Sequence, residues 1–419
     1  MVKHRSCFAA SLFDSELPRN WELVTAGKVI SSSEYGLSEP GVTNGNTPIV
    51  GMRDLSDGAV NLANLATIDG GEGGWPSLEL RKGDILLNRT NSPDLVGKAG
   101  IVRNDSNAVF ASYLVRLKVD QAKIDPEYFN YWLNSSIAQR ALKRLSTRGV
   151  SQANINPTEF KKHCPVALPP INEQKEISNK LRTWDDAIET LAELITKKTN
   201  LYKATLTKYC TPCHPKNEGR DASWTQLELG EAFRERNASG DGNDRLLSIT
   251  MNEGVIDRED VGRKDTSTED KSKYKLILPG DIGYNTMRMW QGVSGLSSLR
   301  GIVSPAYTIV IPNEKIILGK YAAHLFKSRR MVFDFQRYSQ GLTSDTWNLK
   351  YPAFSKIALY LPPLEIQERQ ADALSEVLHE MDLLKREKSI IERQKRGLMQ
   401  KLLTGEWRVV TEDLKEAVG

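Results

Sequence analysis

Few stretches of this chain combine residue types and spacing that could perform chemistry. Cys210-Thr211-Pro212-Cys213-His214 has the spacing that attaches a c-type haem, and it is also half of a zinc site. Covalent haem requires export. Residues 1–20 offer only Phe8-Ala9-Ala10-Ser11-Leu12-Phe13, which is too short and too soon interrupted by Asp14 to be a signal peptide. Zinc would need a second ligand pair, and Cys7, Cys164 and the other histidines are scattered. The expectation is reduced thiols at a helix end and linker. Val96-Gly97-Lys98 has Ser92 where a Walker loop needs glycine, and Asp69-Gly70-Gly71-Glu72-Gly73-Gly74 lacks a strand–turn–helix frame. Gly-x-Ser-x-Gly and His-Glu-x-x-His are absent, so no catalytic residue, metal or cofactor is expected in this chain. Two other clusters hold hydrogen-bonding groups rather than nucleophiles. They are Asn88, Arg89, Thr90 and Asn91, and Asn285, Thr286, Arg288 and Gln291.

Those two clusters occupy matched places in a long internal repeat. Gly83-Asp84-Ile85 recurs as Gly280-Asp281-Ile282, and Asn88 and Asn285 follow at the same distance. Leu168-Pro169-Pro170 recurs as Leu361-Pro362-Pro363, with Gln174 and Gln367 in step. Trp21 precedes Gly27 as Trp224 precedes Gly230, and Gly100-Ile101-Val102 recurs as Gly301-Ile302-Val303. The offset drifts in small steps, as loop insertions produce between two copies of one fold. A period this long means whole domains rather than a solenoid.

The chain has 419 residues and a net charge of +4, a mildly basic balance that does not by itself predict nucleic acid. No run of 18 apolar residues occurs, so no membrane span is expected and a cytoplasmic location is the default. Short apolar runs at 84–87, 100–103 and 113–117, and at 276–278, 302–303 and 307–311, are bounded by Gly, Asn, Asp and Ser and read as strands. Residues 126–146 and 317–338 read as helical patches.

A long helix follows each Pro-Pro. In the first, Leu181, Trp184, Ile188, Leu191, Ile195 and Tyr202 form a narrow heptad stripe. In the second the stripe is Leu374, Val377, Met381, Leu384, Ile391, Leu398 and Leu402, interrupted by Lys388 and Lys395. A stripe this narrow suits pairing with one other helix, and the simplest partner for each is the other. The fold class is therefore α+β: two repeated mixed α/β domains, each followed by a long helix, with the helices pairing as an antiparallel coiled coil. The expected divisions are 1–170, the helix 171–212, the second domain 213–363, the helix 364–405, and the tail 406–419. Residues 385–408 carry eight Lys and Arg against three Glu, a run that usually marks a solvated face.

The duplicated plan resembles the DNA-specificity subunit of type I restriction–modification systems. The local words are Lys82-Gly83-Asp84-Ile85-Leu86, Pro279-Gly280-Asp281-Ile282, Pro169-Pro170-Ile171-Asn172-Glu173-Gln174 and Lys401-Leu402-Leu403-Thr404-Gly405-Glu406-Trp407-Arg408-Val409. One departure is Ile366, where the second Pro-Pro element should carry Glu. The resemblance implies two target recognition domains, each reading half of a bipartite site on double-stranded DNA, with the helices as the spacer. It implies no catalysis in this chain. Two methyltransferase subunits would carry S-adenosylmethionine, and motor–nuclease subunits would carry ATP and Mg. The competing reading is a coiled-coil interaction scaffold without sequence-specific DNA reading.

Under the resemblance, Asn88, Arg89, Thr90 and Asn91, and Asn285, Thr286, Arg288 and Gln291, are candidate base readers. The loops at Gly149 and Gly341 add Arg148, Ser151, Gln152 and Asn154, and Thr343, Ser344 and Trp347. Arg140, Lys143 and Arg144, and Arg329, Arg330 and Arg337, lie on the preceding helical patches as candidate phosphate contacts. Each set could equally face solvent. The unequal loops of the two copies predict half-sites that do not form a palindrome.

Overall fold

The computed structural model describes residues 17–38, 45–71, 73–149, 152–213, 222–240, 244–261, 271–343 and 346–409. The chain divides into two compact units, residues 1–190 with 388–419 and residues 191–387. Both boundaries fall inside the long helices Ile171–Cys210 and Leu364–Leu403.

In the first unit a six-stranded sheet runs in the order Ile30–Tyr35, Leu114–Val119, Ile85–Asn88, Ala99–Ile101, Ala59–Val60, Leu55–Ser56. Alternate residues of a strand face opposite sides. Ile85 and Leu87 join a core with Tyr128, Phe129 and Trp132 of the helix Pro126–Leu133. Leu86 joins a second core with Val50, Phe110 and Leu114. Burial on both faces is why this run is continuously apolar. The helix Ser136–Leu145 follows, capped by Ser135, whose Oγ accepts from Ala138 N at 3.2 Å.

The second unit is built on the strands Phe233–Glu235, Tyr307–Pro312, Ile282–Asn285 and Ser294–Leu296, in that order. Ile282 and Tyr284 face a core with Tyr321, Phe326, Phe335 and Phe354, while Ile309 faces a separate one with Ile249 and Ile277. Helices Gly319–Leu325 and Arg329–Tyr338 occupy the region expected to be helical, and Ser328 caps the second as Ser135 does in the first unit.

The Gly-Asp-Ile words are turns that start a central strand. Gly83 and Gly280 both have φ +91°, a conformation natural to glycine. Asp84 then accepts from the backbone N of Arg81 at 3.0 Å, and Asp281 from that of Leu278 at 2.8 Å. Each buried carboxylate also meets an arginine, and the two arginines come from different strands. Arg116 supplies Asp84 from Leu114–Val119, at 3.5 Å. Arg236, beyond Phe233–Glu235, supplies Asp281 at 2.7 Å. Burial pushes the Asp84 carboxyl up against the pull of these donors.

Gln174 and Gln367 do the same work in each unit. Gln174 accepts from Asp125 N at 2.8 Å and donates to the carbonyls of Lys123 and Pro169. Gln367 accepts from Leu318 N at 3.0 Å and donates to the carbonyls of Ile316 and Pro362. Both fasten a long helix to the domain it follows.

Within each unit the two helix segments run antiparallel. In the first, Asp185 pairs with Lys395 and Glu173 with Arg408. In the second, Lys198 pairs with Glu380, and Tyr202 and Ser375 both meet His324. Leu181, Leu191, Leu374, Met381 and Leu402 are buried, and Trp184, Ile188, Ile195, Tyr202, Val377, Leu384, Ile391 and Leu398 are half-buried. The stripe's polar interruptions are ion-paired. Lys395 meets Asp185, which also accepts from Tyr131 Oη at 2.5 Å, and Lys388 meets Glu392.

The departure at Ile366 also has a structural meaning. Its counterpart Glu173 is buried, accepts from Trp21 Nε1 at 3.0 Å, and takes Arg408 Nε and Nη2 at 2.6 and 2.9 Å. Gly405 packs against Pro18, and Leu402, Leu403 and Val409 enter the first unit's core. The second unit carries Ile366 at this place.

Candidate nucleic-acid interface

In the first unit the fold joins two loops that are distant in sequence. Thr90–Asn91 forms a strand against Ala153–Ile155, which pairs in turn with Ser146–Arg148. The register sets Thr90 beside Asn154, Asn91 beside Ala153, and Thr147 beside Asn154. Arg148 pairs with Ala153 through its backbone. The helix carrying the exposed Arg140, Lys143 and Arg144 leads straight into this small sheet. Gln152 is exposed, and Asn91 Oδ1 accepts from Ser92 N at 2.7 Å. Ser151 lies outside the described residues.

Arg89 is the cation at the centre of this arrangement. Its backbone N donates to Tyr113 O at 3.0 Å, and its carbonyl accepts from Ile155 N at 2.8 Å. Its Nε donates to Ser112 O at 3.2 Å, and the guanidinium lies 5.0 Å from the centroid of the Tyr35 ring. Tyr35 and Tyr113 are both exposed. The run Ile30–Tyr35, Ile-Ser-Ser-Ser-Glu-Tyr, has no apolar alternation, so nothing in the sequence marks Tyr35 as a strand-end aromatic beside the cluster. Asn88 needs a correction as a base reader. It is 1% exposed, with its backbone bonded to Lys98 and Gly97, so it ends the strand and presents no side chain to a groove.

The second unit repeats the backbone plan. Thr286 N donates to Ala306 O at 3.1 Å, and its carbonyl accepts from Leu349 N at 2.8 Å, so Thr286 stands where Arg89 stands. Its side chain turns inward and donates from Oγ1 to Ala306 O at 2.8 Å, which removes it as an exposed reader. Asn285 is half-buried and caps the following turn, its Oδ1 accepting from Met287 N at 3.0 Å. Met287, Arg288 and Gln291 are exposed. Trp347 meets Trp290 edge-to-face at 5.3 Å, joining the Gly341 loop to this turn. Thr343 is exposed and bonded to Thr346, and Ser344 lies outside the described residues.

Arg329 and Arg337 are exposed at opposite ends of their helix. Arg330 is partly committed elsewhere, donating to Asp334 at 2.7 Å and lying over Phe333. A cavity of about 350 Å³ opens beside the loop, lined among others by Thr286, Met287, Ala306, Asn348 and Tyr351.

Cys210 and Cys213 are buried in the second unit's core, with Cys213 Sγ 3.6 Å from Tyr321 Oη. His214 lies outside the described residues. Among the described residues no cluster of His, Cys, Asp and Glu could hold a metal ion, and no helix is long and apolar enough to cross a membrane.

Residues 18–198 match the family model of the type I restriction modification DNA specificity domain. A Methanocaldococcus jannaschii protein assigned as the MjaX type I restriction enzyme specificity subunit is 25% identical, over 94% of this chain and 96% of that protein. The EcoBI type I specificity subunit of Escherichia coli is 27% identical, over 46% of this chain and 41% of its own length. Among solved structures, the S subunit of a type I restriction–modification system from M. genitalium superposes with a TM-score of 0.57 at 17% identity, covering 95% of this chain and 99% of that one.

Proposed function

We propose that this chain is a DNA-specificity subunit of the type I restriction–modification kind, as the match of residues 18–198 and the likeness to the specificity-subunit relatives support, and that its parts divide the work as follows. Each unit reads one half of a bipartite, non-palindromic site on double-stranded DNA. The paired helices fix the unread gap between the half-sites. The chain itself performs no chemistry. Two methyltransferase subunits, which bind S-adenosylmethionine, and motor–nuclease subunits, which use ATP and Mg, act on the DNA that it selects. The complex works in the cytoplasm, where the DNA is.

The observation that carries this reading is the shared juxtaposition of loops. In both units the segment after the Gly-Asp-Ile strand is bonded to the segment around 153–155 or 347–349, through Arg89 to Ile155 and Thr286 to Leu349. Hydrogen-bonding side chains and cations gather there without catalytic machinery, as a base reader with phosphate clamps requires. The test is retention of duplexes by the chain assembled with its methyltransferase subunits. A split target should be retained selectively, and equal retention of scrambled duplexes would overturn the reading. Arg89→Ala should relax one half-site and Arg288→Ala the other.

A further inference from the structure

We infer that the two units read their half-sites with different chemistry: the first through the guanidinium of Arg89 on a guanine, the second through the apolar side chain of Met287 on the C5-methyl of a thymine. This deepens the function proposed above and rests on it.

Matched backbones make the contrast possible. Arg89 and Thr286 make equivalent main-chain hydrogen bonds on both sides, so their side chains begin from the same place in the fold. The Arg89 side chain runs outward along the Ser112 carbonyl, which takes its Nε, and across the Tyr35 ring. Among the described residues the guanidinium's two terminal amino groups take no hydrogen-bond partner, which leaves them for a ligand. A guanidinium held in plane by an aromatic face and one carbonyl loses little freedom when it meets the O6 and N7 acceptors of guanine. Tyr35 is the positioning residue.

In the second unit the same site holds a buried threonine whose hydroxyl is already spent on Ala306 O. The exposed group is the next residue, Met287, 49% exposed. It is braced: its backbone N donates to Asn285 Oδ1, and its carbonyl accepts from Trp290 Nε1 at 3.0 Å. Trp290 is in turn locked edge-to-face on Trp347. An apolar side chain on so fixed a support can discriminate the thymine methyl, the one apolar group on the major-groove edge of the base pairs. The charge around it fits DNA as the occupant. Arg288 is its exposed neighbour, and exposed Arg329 and Arg337 lie on the helix whose Val332 packs against Gly292 of the same turn. Cations around an apolar knob suit a polyanion carrying methyl groups.

The experiment uses the chain assembled with its methyltransferase subunits and a duplex carrying the motif methylated in the host. Each guanine is replaced in turn by 7-deazaguanine, which lacks N7, and each thymine by deoxyuridine, which lacks the methyl. One half-site should lose about tenfold in affinity with 7-deazaguanine at one position, and Arg89→Ala should abolish that sensitivity. The other should lose about fourfold with deoxyuridine at one position, and Met287→Ala should abolish that sensitivity. Tyr35→Phe should retain the guanine discrimination and Tyr35→Ala should weaken it, with assembly unchanged. If the motif is still distinguished from scrambled duplexes but neither analogue matters, or both variants act on the same half-site, the inference falls while the specificity function stands. If scrambled duplexes bind equally, the function itself falls.

Discussion

Substituting Glu173 by Gln should loosen the first unit by about 2 kcal/mol. The carboxylate is 2% exposed and accepts three hydrogen bonds, one from Trp21 and two from Arg408. A glutamine keeps one oxygen of nearly the same shape, so the bond from the indole can survive. What is lost is the bidentate ion pair. Breaking a fully buried pair costs about 3–5 kcal/mol, because the remaining charge is stranded. The Arg408 side chain is 32% exposed and can rehydrate, which brings the expected loss down to about 2 kcal/mol. For a unit of this size that is a fall in Tm of roughly 4–8 °C, readable by calorimetry. Hydrogen exchange should localise it to the strand Glu22–Thr25 and to residues 404–409. The double-mutant cycle with Arg408→Gln is decisive. A clamp of mutually dependent groups should show a coupling energy of about 1–2 kcal/mol. If the two losses add to within about 0.5 kcal/mol, the two side chains act independently and the reasoning is refuted.

Gln174→Leu and Gln367→Leu should each cost about 2–3 kcal/mol, since each strands a backbone N–H, of Asp125 or Leu318, together with two carbonyls. Markedly unequal losses in urea titrations would show that the two glutamines are not equivalent fasteners. His324 lies between Tyr202 and Ser375, and burial, with Lys327 nearby, pulls its pKa down from 6.5 to about 4. A histidine with a depressed folded pKa stabilises fully above its unfolded value and progressively less as pH falls. The second unit should therefore lose about 3 kcal/mol between pH 6.5 and about 4. His324→Gln should flatten that part of the stability profile, and an unchanged slope would assign it to other groups. Seven residues inserted at 190/191 and again at 387/388 preserve the heptad phase and add about 10 Å to each helix. The methylated motif of such a variant should keep both half-sites and widen its gap by about three base pairs. An unchanged gap would remove the helices as the ruler.

What the sequence made legible follows its periodicities. The heptad stripes, the strand runs after each Gly-Asp-Ile and the paired helical patches all depend on local patterns, and they stand in the structure where those patterns lie. The matched glutamines were visible as a repeat, but their role was not, because it is set by carbonyls about 50 residues away in sequence. The partner of the Gly-Asp-Ile aspartate was hidden more deeply. A buried carboxylate needs a cation, yet Arg116 and Arg236 reach it from different strands, so alignment of the two copies would never pair them. The candidate interface was legible as composition and only partly as geometry. Residue type does not say which way a side chain turns, and Asn88 and Thr286 turn inward because their polar atoms sit at the strand's end. Lys395 interrupts the apolar stripe, and its reason, Asp185 with Tyr131 behind it, lies on other elements.

The closure of Leu402, Leu403, Arg408 and Val409 onto the first unit has a consequence for synthesis. A chain emerging from the ribosome usually folds its N-terminal domain first. Here that order is reversed for the final packing step. Every residue of the second unit has been made by position 387, whereas the first unit waits for residues up to 409 to seat Trp21 and cover Ile177 and Leu181. Until then its apolar helix face stays open to water and to chaperones. A chain that stops between residues 388 and 401 therefore holds every residue of the second unit and lacks Leu402, Leu403, Arg408 and Val409 of the first.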